Sequence, residues 1–130
     1  MYRWVEHTAE LELEIDAATE AEVFAEALAA FGELVGQEPG GEPARHEVEA
    51  SGSDRGALLA AWLEELEFLA ETEDFVPERL EELELAEGRL RAAVAGRRDR
   101  PPHLVKAVTY HGLALEPAGK GWRARMVLDV

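Results

Sequence analysis

The sequence predicts an α+β domain in which two amphipathic helices pack on a mixed or antiparallel β-sheet. Three observations carry that expectation. Leu11, Leu13 and Ile15 alternate with Glu12, Glu14 and Asp16, the period of a strand with one apolar face. Two segments, around Phe24–Val35 and Leu58–Leu69, instead repeat apolar residues three and four apart, as a helix does. From Arg89 onward the alternation returns, and it ends with Trp122, Ala124, Met126 and Leu128 interleaved with Arg123, Arg125, Val127 and Asp129.

Taken in order, Tyr2 to Glu6 is short and half apolar and reads as a first strand, with Leu11 to Ile15 as a second. Thr19 and Glu22 form an S/T-x-x-E capping box. Phe24, Ala27, Leu28, Phe31, Leu34 and Val35 follow at helical spacing, and Gly36 stops that helix. Glu38 to Pro43 is a loop, and Arg45 to Ser51 a strand. Ser53 or Asp54 caps a second helix, whose stripe is Leu58, Leu59, Trp62, Leu66 and Leu69 and which ends near Thr72. Pro77 to Leu85 is ambiguous: Pro-Glu-Arg-Leu-Glu-Glu-Leu favours a helix, while Leu83 and Leu85 allow a strand. Leu90, Ala92 and Val94 mark a strand, Arg97 to Pro102 a basic turn, Leu104 to Glu116 a β-rich stretch, and Pro117 to Gly121 the turn of a last hairpin. A strand–helix–strand pattern begins near residue 11 and again near residue 45, which allows an internal duplication without any repeated sequence. Residues 1–130 read as one domain.

Composition narrows the function. The chain has no cysteine, which excludes disulfides, thiolate metal sites and cysteine nucleophiles. It has no Asn, a single Gln at Gln37, and 11 Arg against 2 Lys, a pattern of thermophilic proteins and equally of GC-rich genomes. The formal net charge is −15 and uneven: residues 1–88 hold 25 acids and 4 bases, residues 89–130 hold 3 acids and 9 bases. Such a chain repels phosphate at long range, so no stable nucleic-acid binding of its own is expected. The acidic part suits cations or a basic protein surface, or is simply a solvated face. No apolar run is long enough for a bilayer, and Met1 to Trp4 enter a strand pattern without a signal-peptide core. A cytoplasmic protein with no membrane partner is expected.

Motifs of general enzymatic machinery are missing. Gly40-Gly41 lacks the Lys-Ser/Thr of a phosphate loop, Ser51 and Ser53 do not sit in a nucleophile elbow, and no His-Glu-x-x-His occurs. Three places remain. Glu6-His7-Thr8-Ala9-Glu10 lies between two strands and offers imidazole and oxygen ligands, although polar clusters in loops more often serve the turn itself. Lys106 to His111 places Lys106, Val108 and Tyr110 on one strand face; the plainer role of such a lysine is to guard a sheet edge. Asp129, with the carboxylate of Val130, offers two hard oxygen donors suited to Ca²⁺, Mg²⁺ or Mn²⁺; the plainer reading is a frayed, solvated end.

These three places also carry a resemblance. His7-Thr8-Ala9-Glu10, Leu58-Leu59-Ala60-Ala61-Trp62-Leu63-Glu64-Glu65-Leu66, Lys106-Ala107-Val108-Thr109-Tyr110-His111, Gly121-Trp122 and Leu128-Asp129-Val130 stand in the order of the archease family's motifs. The chain resembles that family from residue 7 to the last residue. The resemblance implies a non-catalytic accessory protein that helps an RtcB-type RNA ligase become guanylylated by GTP and turn over in tRNA splicing and RNA repair. It implies a divalent-metal site from the motif acid and the C-terminal Asp, here Glu10 and Asp129, with Lys106 as a functional basic residue. The Val130 terminal carboxylate is a further candidate metal ligand, and His7 a further candidate functional residue beside Lys106. It also favours reading Pro77 to Leu85 as extended. Position 10 is Glu where the family motif has Asp, one methylene shorter. Two other functions compete: a metal-dependent phosphoester hydrolase using the same acids, for which His7 and His111 are the candidate bases, and a chaperone-like interaction module.

Overall fold

The structure is a computed structural model and describes residues 1–36, 40–101 and 105–130. Its elements run β1 (Tyr2–His7), β2 (Glu10–Ala17), α1 (Glu20–Val35), β3 (Glu42–Ser51), α2 (Arg55–Thr72), β4 (Phe75–Ala86), β5 (Arg89–Arg98), β6 (Ala107–Ala118) and β7 (Gly121–Asp129). They form a four-stranded sheet in the order β1-β2-β7-β6 and a three-stranded sheet in the order β3-β5-β4. Every paired neighbour is antiparallel. Each helix packs against strands of both sheets and against the other helix. The expected α+β class holds, with the strands divided between two sheets.

The two strand–helix–strand units are not equivalent. β2-α1-β3 passes from one sheet to the other, whereas β3-α2-β4 begins and ends in one sheet with β5 inserted between its strands. The topology therefore does not confirm a duplication.

Both helices start on the residues the sequence marks. Thr19 accepts a hydrogen bond from the Glu22 amide at 3.1 Å, and Glu22 Oε2 accepts from the Ala18 amide at 3.1 Å, so the reciprocal arm reaches one residue before the cap. Asp54, rather than Ser53, caps α2 by accepting from the Ala57 amide at 2.8 Å. Leu13 and Ile15 of β2, Phe24, Leu28 and Phe31 of α1, Leu58, Trp62 and Leu66 of α2, and Met126 and Leu128 of β7 meet in one core. Trp62 is fully buried, its indole Nε1 donates to the Phe24 carbonyl at 3.0 Å, and its ring meets Phe24 edge-on with centroids 6.4 Å apart. A Cβ on Gly32 would stand 2.2 Å from the Pro77 carbonyl oxygen, so glycine is what lets α1 lie directly on β4.

The ambiguous segment is strand β4, and its helical look has a physical cause. Leu80 pairs with Val94, Leu83 with Ala92 and Leu85 with Leu90, with a register shift between Leu80 and Glu82. The extra residue of that bulge lets two leucines three apart, Leu80 and Leu83, face the same side, which imitates helical spacing. The basic turn also begins later than expected, because Arg97 and Arg98 are still in β5. Arg97 is only 8% exposed, donates to the Gly40 carbonyl at 3.0 Å and pairs with Asp99 at 2.6 Å. The last turn is tighter than Pro117 to Gly121, since β6 runs to Ala118. In the loop expected from Glu38, Glu42 and Pro43 already belong to β3, while Glu38, Pro39 and Leu104 lie outside the described residues.

Candidate functional site at the β1–β2 turn and the end of β7

The sheet register brings the sequence candidates to one end of the four-stranded sheet. His7 and Glu10 are cross-strand partners closing the β1–β2 hairpin around Thr8 and Ala9. Ala9 has φ +61, in the left-handed region that a residue with a Cβ rarely occupies. Glu10 is in turn the partner of Asp129, and Asp129 the partner of Ala107. His7, Glu10, Asp129 and Ala107 thus form one row across all four strands. Directly opposed residues share a face with Cβ atoms about 4.5–5.5 Å apart. Glu10 and Asp129, 119 positions apart in sequence, are therefore immediate neighbours. The Lys106 amide donates to the Asp129 carbonyl at 2.8 Å, which ties the start of β6 to the same point. Glu10 and Asp129 are half-buried, whereas His7, Lys106 and Val130 are exposed.

The next row inward holds Val5, Glu12, Val127 and Thr109. The alternation of β2 turns Glu12 away from the Leu13 face, yet Glu12 is only 7% exposed. Its Oε1 accepts from Arg125 Nη2 at 2.8 Å and lies 3.2 Å from His7 Nε2, so the guanidinium and the imidazole bracket it. The hydrogen bond from Arg125, assisted by that from His7 and the charges of both, outweighs burial and holds the Glu12 carboxyl down at about 2. Glu12 and Arg125 are the parts of this region that sequence reasoning passed over. The available signal was opposite charge at outward positions of two strands, but only the β2–β7 adjacency gives it meaning.

A stability consequence arises here. The folded-state pKa of Glu12 is depressed from 4.5 to about 2. Its stabilising contribution is therefore present in full above the unfolded value and is lost as pH falls from about 4.5 toward 2. Glu12→Gln should flatten the acid limb of a stability–pH curve over that window and leave its neutral-pH shape alone. Chemical denaturation at stepped pH reads the difference, and parallel acid limbs for the two proteins would contradict the assignment.

The donors at the outer row fit a hard divalent cation in kind. Two carboxylates stand in register, and neither is ion-paired to a basic side chain among the described residues. They do not amount to a complete cage, because no group of three or more His, Asp or Glu side chains converges among the described residues. A Ca²⁺ ion takes about 6–8 oxygens, of which these two side chains would supply only part.

Fold and site together define a small two-helix α+β protein with an acidic tip on a sheet end, and the comparisons place it. A family profile described as the Archease protein family (MTH1598/TM1083) matches residues 2–130. Protein archease of Methanosarcina acetivorans is 36% identical over 140 residues, covering 99% of this chain and 95% of the relative. Protein archease of Methanopyrus kandleri is 36% identical over 135 residues, covering 97% and 96%. The chain belongs to the archease family. Among solved structures, a Thermotoga maritima archease, described as a possible chaperone, superposes with TM-score 0.71 at 21% identity, covering 100% of this chain and 98% of that one. Protein 1598 of Methanobacterium thermoautotrophicum gives TM-score 0.70 at 24% identity, covering 99% and 98%. At these identities the two structures speak for the fold alone. None of the helices is long and apolar enough to cross a membrane among the described residues.

Proposed function

We propose that this protein is a non-catalytic activator of an RtcB-type RNA ligase, promoting the ligase's GTP-dependent guanylylation and multiple turnover in tRNA splicing or RNA repair. The observation that carries the reading is the Glu10–Asp129 pair, two carboxylates from opposite ends of the chain set side by side by the β2–β7 register at the family's own motif positions. Paired carboxylates repel, and a divalent cation (Ca²⁺, Mg²⁺ or Mn²⁺) relieves that repulsion. Glu10 and Asp129 would hold it, with Val130 beside them, and an incomplete shell leaves positions for a ligand from the partner. Bound there, the ion supplies a positive centre for phosphate or carboxylate oxygens at the ligase's active-site mouth. Lys106, tied through its amide to Asp129, adds an exposed ammonium at the same end. The chemistry itself stays with the ligase, and the site of action is the cytoplasm. A chaperone-like interaction module is the competing reading, and it would use the same acidic end as a docking surface.

The direct test is guanylylation. With labelled GTP and Mn²⁺, the cognate ligase should accumulate more covalently labelled protein when this chain is present. The chain alone should neither take up label nor hydrolyse GTP. Labelling that is indifferent to the added protein would defeat the activator reading, and turnover of GTP or a phosphoester by the chain alone would favour the hydrolase.

A further inference from the structure

Glu12 is the carboxylate that the strand alternation does not explain. It faces outward yet is buried, and a single oxygen, Oε1, serves both Arg125 Nη2 at 2.8 Å and His7 Nε2 at 3.2 Å. Arg125 can only donate, so Oε1 is an acceptor, and the hydrogen in its contact with His7 comes from the ring. Neutral imidazole carries one N–H, and if that is Nε2–H, Nδ1 is left with a bare lone pair. The His7 side chain is 51% exposed, and its residue opens the row that continues through Glu10 and Asp129. Arg125 is placed to keep the arrangement fixed. It stands on β7 opposite Glu14, reaches diagonally to Glu12, and β6 bulges around it between Thr109 and Ala114.

We propose that Glu12, clamped by Arg125, is a positioning residue that locks His7 as the Nε2–H tautomer and leaves Nδ1 as a hydrogen-bond acceptor for an N–H or O–H donor of the docking partner. The tautomer follows from this chain alone; the partner's donor rests on the activator reading above. The arrangement gives the acidic tip a directional contact that two carboxylates and an ion do not provide. Partners that orient a metal-ligating histidine typically cost about 10- to 100-fold when removed, and a loss at the lower end of that scale is expected here.

Two readouts test it on the full chain. Long-range ¹H–¹⁵N spectra of the histidines, taken at alkaline pH where imidazole is neutral, should report Nε2–H for His7 in the wild-type protein. Glu12→Gln, whose amide oxygen still accepts, should keep that pattern, and Glu12→Ala should give a mixture of tautomers. If Glu12→Ala fails to fold, Glu12→Thr, suited to a strand and too short to reach the ring, takes its place. Nδ1–H in the wild type, or an unchanged pattern once the carboxylate is gone, overturns the proposal. The second readout is a double-mutant cycle on ligase guanylylation. His7→Ala and Glu12→Ala should each weaken stimulation about tenfold, the double variant no further, and Glu12→Gln should restore most of it. Multiplying losses, about a hundredfold in the double variant, would assign Glu12 a role independent of His7. A wild-type protein that stimulates no ligase sinks the activator reading only, and the spectra still decide the tautomer.

Discussion

Asp129→Ala should weaken divalent-metal binding about 10- to 100-fold, equivalent to ~1.4–3 kcal/mol, and abolish ligase stimulation, while leaving the fold intact. Asp129 is one of two side-chain carboxylates in the outer row, so its loss removes half of that row's charge. Position 129 lies off the face that carries Ala124, Met126 and Leu128 into the core, and its backbone contact to the Lys106 amide does not depend on the side chain. Glu10→Ala should behave alike. Glu10→Asp, which restores the family's residue, should retain or improve both properties. Lys106→Ala should lower stimulation with metal binding preserved. Calorimetric titration with Mn²⁺ and Ca²⁺ beside a thermal melt separates these outcomes, and an Asp129→Ala protein that binds metal as tightly as wild type would refute the site.

Trp62→Ala should cost about 3–5 kcal/mol, the largest single loss of stability in the chain, with a fall in melting midpoint of roughly 10–20 °C. Three losses combine. Trp62 is fully buried, so its removal leaves a cavity in the core. Its indole donor to the Phe24 carbonyl, 3.0 Å, disappears, and so does the edge-on contact with the Phe24 ring, by which α1 and α2 are held to each other. Trp62→Phe should recover part of the packing but not the hydrogen bond, giving an intermediate midpoint. A Trp62→Ala loss below about 1 kcal/mol would mean the helices can collapse onto each other without it.

Elements whose periodicity is regular were legible in the sequence. Thr19 and Asp54 marked helix starts because a short oxygen side chain before an apolar stripe answers the free amides of a first turn. The strands β2 and β7 were legible because their inward positions are apolar and their outward ones, Val127 apart, are charged. What the sequence withheld lies in register and in bulges. Leu80 and Leu83 stand three apart, as in a helix, and only the shift in β4 lets a strand put both on one face, so local pattern and true structure disagree there. The division of the strands into two sheets depends on pairings that no single strand encodes. At the site, Glu10 and Asp129 were each recognisable from motifs, yet only the β2–β7 register makes them neighbours. Glu12 stayed invisible because its alternation says outward and outward usually means solvated. It is Arg125 and His7, from β7 and β1, that bury it.

Activation through the acidic tip would show itself in turnover. With the cognate ligase limiting, excess RNA substrate, GTP and Mn²⁺, ligated product should rise well beyond one equivalent of ligase when wild-type protein is added. With Asp129→Ala it should stay near one equivalent. Product that passes one equivalent to the same extent with wild-type protein, with Asp129→Ala and with neither would contradict the account.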